Sequence, residues 1–135
     1  MEIEALHHVS LPVTDLARSR RFYEDLLQLE EIERPSFSFA GAWYQVGDGQ
    51  LHLIVSDSNP TFRIGKLADS RDVHFAIRVG SYPKTLTYLH SRGYHPGASD
   101  PLFKTKESPH GTVGYPQVFL LDPDRNTIEI NAEHL

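Results

Sequence analysis

Two stretches of this chain can be laid one on the other. Placing His8 on His74 superposes HVSLPV (8–13) on HFAIRV (74–79), so that Val9, Leu11 and Val13 match Phe75, Ile77 and Val79. Both stretches alternate apolar and polar residues with the period of a half-buried strand. Each is followed by a segment with helical spacing, TDLARSRRFYEDLLQLEE (14–31) and YPKTLTYLHSRGY (82–94). The halves also close alike, on LHL (51–53) and IEI (128–130), each a polar residue between two apolar ones. A sequence that runs strand–helix–strands twice is restricted to two copies of one supersecondary unit.

The remaining elements fit that scheme. Thr14 or Asp15 can cap the first helix, whose apolar stripe is Leu16, Phe22, Tyr23, Leu26 and Leu27. After Pro35, the aromatic-rich SFSFAGAWYQVG (36–47) reads as a strand, Asp48-Gly49 as a hairpin turn and QLHLIVS (50–56) as the returning strand. DSNPT (57–61) reads as a polar connection. In the second half, Gly93 serves as a left-handed helix cap. Strands are expected at 116–123 and 127–133, joined by the DPDRN turn. The segment 95–115 is rich in proline and glycine and reads as a loop holding one short strand. Long loops of this kind often carry function.

Composition narrows the function classes. The 135 residues suit one compact domain with a core. No apolar run approaches the length needed to span a bilayer, and no basic-then-apolar leader is visible at the start. Cysteine is absent, which excludes disulfides, thiolate metal sites and a cysteine nucleophile. That absence fits a cytoplasmic protein. A net charge of -5 argues against nucleic-acid binding, and the basic cluster ARSRR (17–21) reads as the solvated face of a helix. Eight histidines raise the question of convergence.

Strand parity answers it. Val9, Leu11 and Val13 share one face of the first strand with His7, and His8 shares the other with Ser10 and Pro12. In the same way His74 stands opposite Phe75 and Ile77, His52 opposite Leu51 and Leu53, and Glu129 opposite Ile128 and Ile130. Amphipathic helices cover the apolar sheet faces. His8, His52, His74 and Glu129 then emerge together on the uncovered face. Three imidazoles and a carboxylate suit one divalent ion such as Zn, Ni, Mn, Fe or Co.

HVSLPVTDLARSRRFY (8–23), DVHFAIRV (72–79) and QVFLLDPDRNTIEIN (117–131) resemble the signatures of the vicinal oxygen chelate superfamily. That superfamily includes glyoxalase I, methylmalonyl-CoA epimerase, extradiol dioxygenases, fosfomycin-resistance thiol transferases and bleomycin-binding proteins. The resemblance implies an α+β fold of two tandem βαβββ modules forming a cup-shaped mixed β-sheet with helices outside. It implies a single domain over 1–135, with module 1 at approximately 5–57 and module 2 at approximately 72–133. Its metal-ligand positions fall on His8, His52, His74 and Glu129. Two positions depart from the pattern. Glyoxalase I usually has Glu or Gln where this chain has His52. The turn usually has Gly where this chain has Arg125, and Asn126, which tolerates a left-handed backbone, is expected to absorb that change.

The resemblance implies a metal-dependent enzyme that chelates two neighbouring oxygens of a small substrate, a lyase or isomerase of the glyoxalase type. Glu129 is then the candidate base, with His52 on the other side of the substrate. An extradiol Fe(II) dioxygenase would use His8, His74 and Glu129 as a facial triad. A thiol transferase would need a basic pocket, for which the sequence offers no clear signal. A binding protein without catalysis is the remaining alternative, and bleomycin-binding members lack these ligands. Trp43, Arg78, Tyr115 and Gln117 are the substrate-contact candidates, Arg78 as the partner of a substrate carboxylate. Tyr44, Phe37, Phe39 and Phe119 are further candidates for the cup lining. Loop 97–115 is a candidate lid, with His110 within it. The resemblance also implies a homodimer with a small-molecule substrate and no nucleic-acid or membrane partner.

Overall fold

The computed structural model describes residues 1–56 and 63–135. The expected connection at 57–61 lies outside the described residues. The chain divides into two compact units, Met1–Phe62 and Arg63–Leu135.

The first unit runs β1 (His8–Val13), α1 (Leu16–Arg20), a π-helical segment (Arg21–Leu26), β2 (Glu30–Ile32), β3 (Gly41–Val46) and β4 (Gly49–Val55). Its sheet has the order β1-β4-β3-β2. β1 runs parallel to β4, and the hairpin strands are antiparallel. Asp15 caps α1 by accepting from the Arg18 amide at 3.0 Å. Leu27 N–H donates to Phe22 O, which widens the following turn. That widened turn buries Phe22, Tyr23 and Leu26. They join Val13, Ala42, Tyr44, Leu51 and Leu53 among the buried apolar residues. The register pairs Ala42 with Leu53 and Tyr44 with Leu51, so the apolar residues of β3 and β4 share one face.

The second unit repeats the plan with β5 (His74–Val79), α2 (Tyr82–Ser91), a 3₁₀ turn (Pro101–Phe103), β6 (Lys106–Ser108), β7 (Gln117–Leu121) and β8 (Thr127–Ala132). Its sheet order is β5-β8-β7-β6, the same permutation as the first. Ser81 caps α2, and Gly93 follows the helix with φ +88°. Tyr82, Leu89, Val118, Leu120 and Ile128 are buried. The molecule is thus an α+β protein of two four-stranded mixed sheets, each of βαβββ order. Among the described residues, no helix is long and apolar enough to cross a membrane.

Three sequence expectations need correction. The first helical region ends at Leu26 rather than 31, because Gln28 turns left-handed at φ +57° and Glu30–Ile32 pair with β3. The strand expected from 36 begins at Gly41, and Phe37 and Phe39 are exposed ahead of it. In the DPDRN turn the left-handed residue is Arg125, at φ +65°, rather than Asn126. Asn126 is tied down instead: its backbone N–H and side-chain amide both donate to the Asp122 carboxylate, at 2.8 Å each.

Candidate functional site

In each unit, the candidate ligands sit on adjacent parallel strands in the same relative register. Ser10 pairs with His52 in the first unit, so His8 lies two residues before the partner of His52. Ala76 pairs with Glu129 in the second, so His74 lies two residues before the partner of Glu129. The aromatic neighbours correspond as well: Trp43 pairs with His52, and Phe119 with Glu129. The alternation of β1 and β5 places His8 and His74 opposite the apolar residues, as parity predicted.

In the first unit, His52 is clamped between two rings. His8 stacks on one side at 4.2 Å and Trp43 on the other at 3.9 Å, tilted by only 13° and 5°. His52 Nε2 lies 2.9 Å from Gln50 Oε1. With that amide oxygen accepting, Nε2 carries the hydrogen and Nδ1 holds the lone pair. Burial, followed by the charges of His8, His7 and Arg34, pushes the His52 pKa below its ordinary value and favours the neutral ring. His7 Nδ1 approaches His8 Nδ1 at 2.9 Å, so one of the two carries the shared hydrogen. His7 lies one residue before β1 begins, outside the strict alternation of the strand, which lets its ring meet that of His8 edge-on.

In the second unit, His74 Nδ1 lies 2.7 Å from the Asp72 carbonyl oxygen. A carbonyl only accepts, so Nδ1 carries the hydrogen and Nε2 of the neutral ring presents its lone pair. That lone pair faces Glu129 Oε2 at 3.2 Å. Glu129 is 4% exposed, and its other oxygen accepts from Asn131 Nδ2 at 2.7 Å. Two acceptors held face to face call for a proton or a cation between them. Two ligands of one ion, with bonds of about 2.1 Å at angles of about 90–109°, stand about 3.0–3.4 Å apart. The donor set of imidazole nitrogen and carboxylate oxygen, each oriented by an outer partner, therefore fits a divalent transition ion.

The structure brings His8 together with His52, and His74 together with Glu129. Among the described residues, no group of three or more His, Asp or Glu side chains is arranged to hold a metal ion. Arg78 shares the face of His74, and its guanidinium lies 5.0 Å from the centre of the Tyr115 ring. Gln117 stands opposite Asn131, and its carbonyl accepts from the Tyr82 hydroxyl at 3.0 Å. Phe119 is buried and meets the His74 ring edge-on. Phe37 and Phe39 stack on each other with Arg34 over both rings. His110 is exposed and lines a cavity with Gln117 and Phe119. The sequence reading missed residues that touch the ligand candidates, His7, Gln50, Asp72 and Asn131 among them. For Gln50 and Asn131 the signal was there, since each lies two residues from a ligand candidate and shares its face.

Comparisons with known proteins agree with this fold. The family model described as the Glyoxalase/Bleomycin resistance protein/Dioxygenase superfamily matches residues 5–130. No curated protein matches the chain in sequence. Among solved structures, a protein described as a glyoxalase family member from Bacillus anthracis aligns with a TM-score of 0.76 at 20% identity, covering 98% of this chain and 97% of that one. The genomically encoded fosfomycin resistance protein FosX from Listeria monocytogenes aligns with a TM-score of 0.70 at 18% identity, over 99% and 97% of the two chains. A Glu-to-Gln variant of FosX, complexed with Mn(II) and 1S,2S-dihydroxypropylphosphonic acid, aligns with the same score and identity, over 99% and 95%. The match over 5–130, together with the repeated βαβββ plan, establishes that the chain belongs to the glyoxalase/bleomycin resistance/dioxygenase superfamily.

Proposed function

We propose that this protein is a metal-dependent enzyme of the glyoxalase type, a lyase or isomerase acting on a small oxygenated molecule. The observation that carries the reading is the His74–Glu129 pair, whose facing acceptors fit a divalent ion. His8, His74 and Glu129 form the proposed ligand set, with His52 beside His8 as a fourth ligand or an acid–base group. Each unit offers two candidate donors, and a catalytic site of this kind uses at least three. We therefore propose that the half-sites act together in a cytoplasmic homodimer.

A bound divalent ion would supply Lewis-acid stabilisation to a substrate oxygen as negative charge develops on it. The chain supplies the rest. Glu129 Oε1 is held by Asn131, and Oε2, which faces His74 Nε2 at 3.2 Å, is the proposed oxygen to take a proton from a substrate C–H. The His52 ring is favoured in its neutral form and fixed between Trp43 and His8, so its Nδ1 lone pair is the proposed second proton acceptor. Arg78, on the same face as His74, is the proposed partner of a substrate carboxylate. Trp43 and Phe119 pair across neighbouring strands with His52 and Glu129, both of which are buried.

A second reading is a thiol transferase or a resistance protein, and the likeness in fold to a fosfomycin resistance protein supports a resistance role. The two are separated by assay of the metal-loaded protein, first with methylglyoxal and thiol, then with catechol, Fe(II) and O₂, then with an epoxide and thiol. Isomerisation of the methylglyoxal–thiol adduct supports the glyoxalase-type reading. Turnover of the epoxide alone replaces it with the transferase, and oxygen uptake alone replaces it with a dioxygenase.

A further inference from the structure

His7 stands one residue before β1, yet it is fixed at both ends. Its carbonyl oxygen accepts from the Gln50 amide of β4 at 3.1 Å. Its Nδ1 lies 2.9 Å from Nδ1 of His8, with the two rings edge-on at 86°. Rings set edge-on let the N–H of one point into the in-plane lone pair of the other. Gln50 ties the two histidine pairs together: its backbone N–H anchors His7, and its side-chain oxygen faces His52 Nε2 at 2.9 Å.

Two nitrogens that share one hydrogen leave a choice of donor. If His7 donates, neutral His8 carries its own hydrogen on Nε2 and has no lone pair left for a ligand. If His8 donates, its Nε2 keeps the lone pair, and His7 carries its hydrogen on Nε2. The second unit has made this choice. His74 is the repeat partner of His8 in register, and its Nδ1 lies 2.7 Å from the Asp72 carbonyl oxygen, which can only accept. In both units the fixed atom is Nδ1, and the residue that fixes it lies just ahead of the strand. His7 is exposed, and its Nε2 has no hydrogen-bond partner among the described residues, so water can take that hydrogen.

We propose that His7 is a positioning residue for the metal centre: it accepts the Nδ1 hydrogen of His8 and so leaves His8 Nε2 with the lone pair that a divalent ion takes. The inference rests on the proposed metal-dependent reading for what Nε2 meets, whereas the tautomer belongs to the metal-free chain. An outer acceptor of this kind fixes the ring orientation of a ligand and raises its basicity. The two half-sites differ in how that acceptor is supplied. A peptide carbonyl orients His74 and no side-chain substitution removes it. A single exposed side chain orients His8, so the first half-site can be switched by one substitution.

The test reads the tautomer directly. Nuclear magnetic resonance of ¹⁵N-labelled, metal-free protein at pH 8, where imidazoles are ordinarily neutral, shows which ring nitrogen carries the hydrogen. His8 is expected with its hydrogen on Nδ1, the less common form of free histidine in water. His7→Phe keeps a flat ring without an acceptor and should move that hydrogen to Nε2. His7→Asn sets a side-chain oxygen near the place of Nδ1 and should restore it. Zn²⁺ affinity, read by competition with a chelating dye, should fall about 10–100-fold in His7→Phe and stay within a few-fold of wild type in His7→Asn. His7 is exposed, so both variants should keep the native circular dichroism. If His7→Phe fails to fold, His7→Ala decides in its place. His8 with its hydrogen on Nε2 in the wild type, or a tautomer that ignores the substitutions, would overturn the proposal. A tautomer that follows residue 7 in a chain that takes up no metal keeps His7 as the partner that orients His8 and removes the metal reading. Metal uptake with a tautomer indifferent to residue 7 does the reverse.

Discussion

His74 Nε2 and Glu129 Oε2 face each other across 3.2 Å, and both carry lone pairs when the imidazole is neutral. That arrangement is stable only with a positive charge between the two atoms, whether a proton or a metal ion. If it is a metal ion, wild-type protein dialysed against Zn²⁺, Ni²⁺ or Mn²⁺ should retain about one ion per site, and His8→Ala/Glu129→Ala should retain almost none. Elemental analysis of both proteins measures this. Equal metal content would show that the pair is held by a proton alone.

Asn131 sets which Glu129 oxygen is available. Its Nδ2 donates to Oε1, while its own Oδ1 is buried with no hydrogen-bond partner among the described residues. Asn131→Leu should remove the orienting bond without adding charge. Loss of such an outer partner typically lowers metal affinity about 10–100-fold. Competition with a chelating dye would read the change, and an unaltered affinity would assign Asn131 to packing alone.

Asp72 links stability to the site. Its carboxylate meets Arg63, Lys66 and the Thr127 hydroxyl, while its backbone carbonyl orients His74. Burial alone would raise its pKa, but the hydrogen bonds from Lys66 and Thr127 and the charge of Arg63 outweigh this and lower it. A carboxyl with a lowered folded pKa stabilises the protein above its unfolded value, about pH 4, and loses that contribution as pH falls further. Asp72→Asn should cost about 3 kcal/mol near pH 7, because buried Arg63 loses its charged partner. It should also flatten the fall in stability below pH 4. Denaturant melts of both proteins at pH 7 and pH 3 would show the difference shrinking with acid.

Much of this was legible in the period of the strands. His8, His52, His74 and Glu129 were picked by alternation alone, and the structure puts them in matching register. Alternation could not locate β6, because a three-residue strand in a proline- and glycine-rich segment is too short to show a period. The end of the first helical region was missed because a left-handed Gln28 lacks the glycine that usually announces such a stop. His7 escaped notice for a related reason. Parity assigned it to the opposite face, but it precedes the strand and its ring turns toward His8.

Trp43 gives the first unit its own reporter. It is the single tryptophan of the chain, and it stacks face-on against His52 at 3.9 Å. A protonated imidazole against an indole face is an efficient quencher, whereas a neutral one is weaker. Burial and the neighbouring His8 and His7 lower the His52 pKa, so protonation should come below the ordinary histidine value of about 6.5. Emission from metal-free protein should therefore hold steady from pH 8 to about pH 6.5 and fall at lower pH, before unfolding is detected by circular dichroism. His52→Ala should abolish that step and leave Trp43 emission flat across the range. Divalent ion added at pH 7 should compete with the proton at this half-site and move the quenching midpoint to lower pH. A midpoint unmoved by metal would take His8 and His52 out of the ligand set and leave them a role in substrate contact.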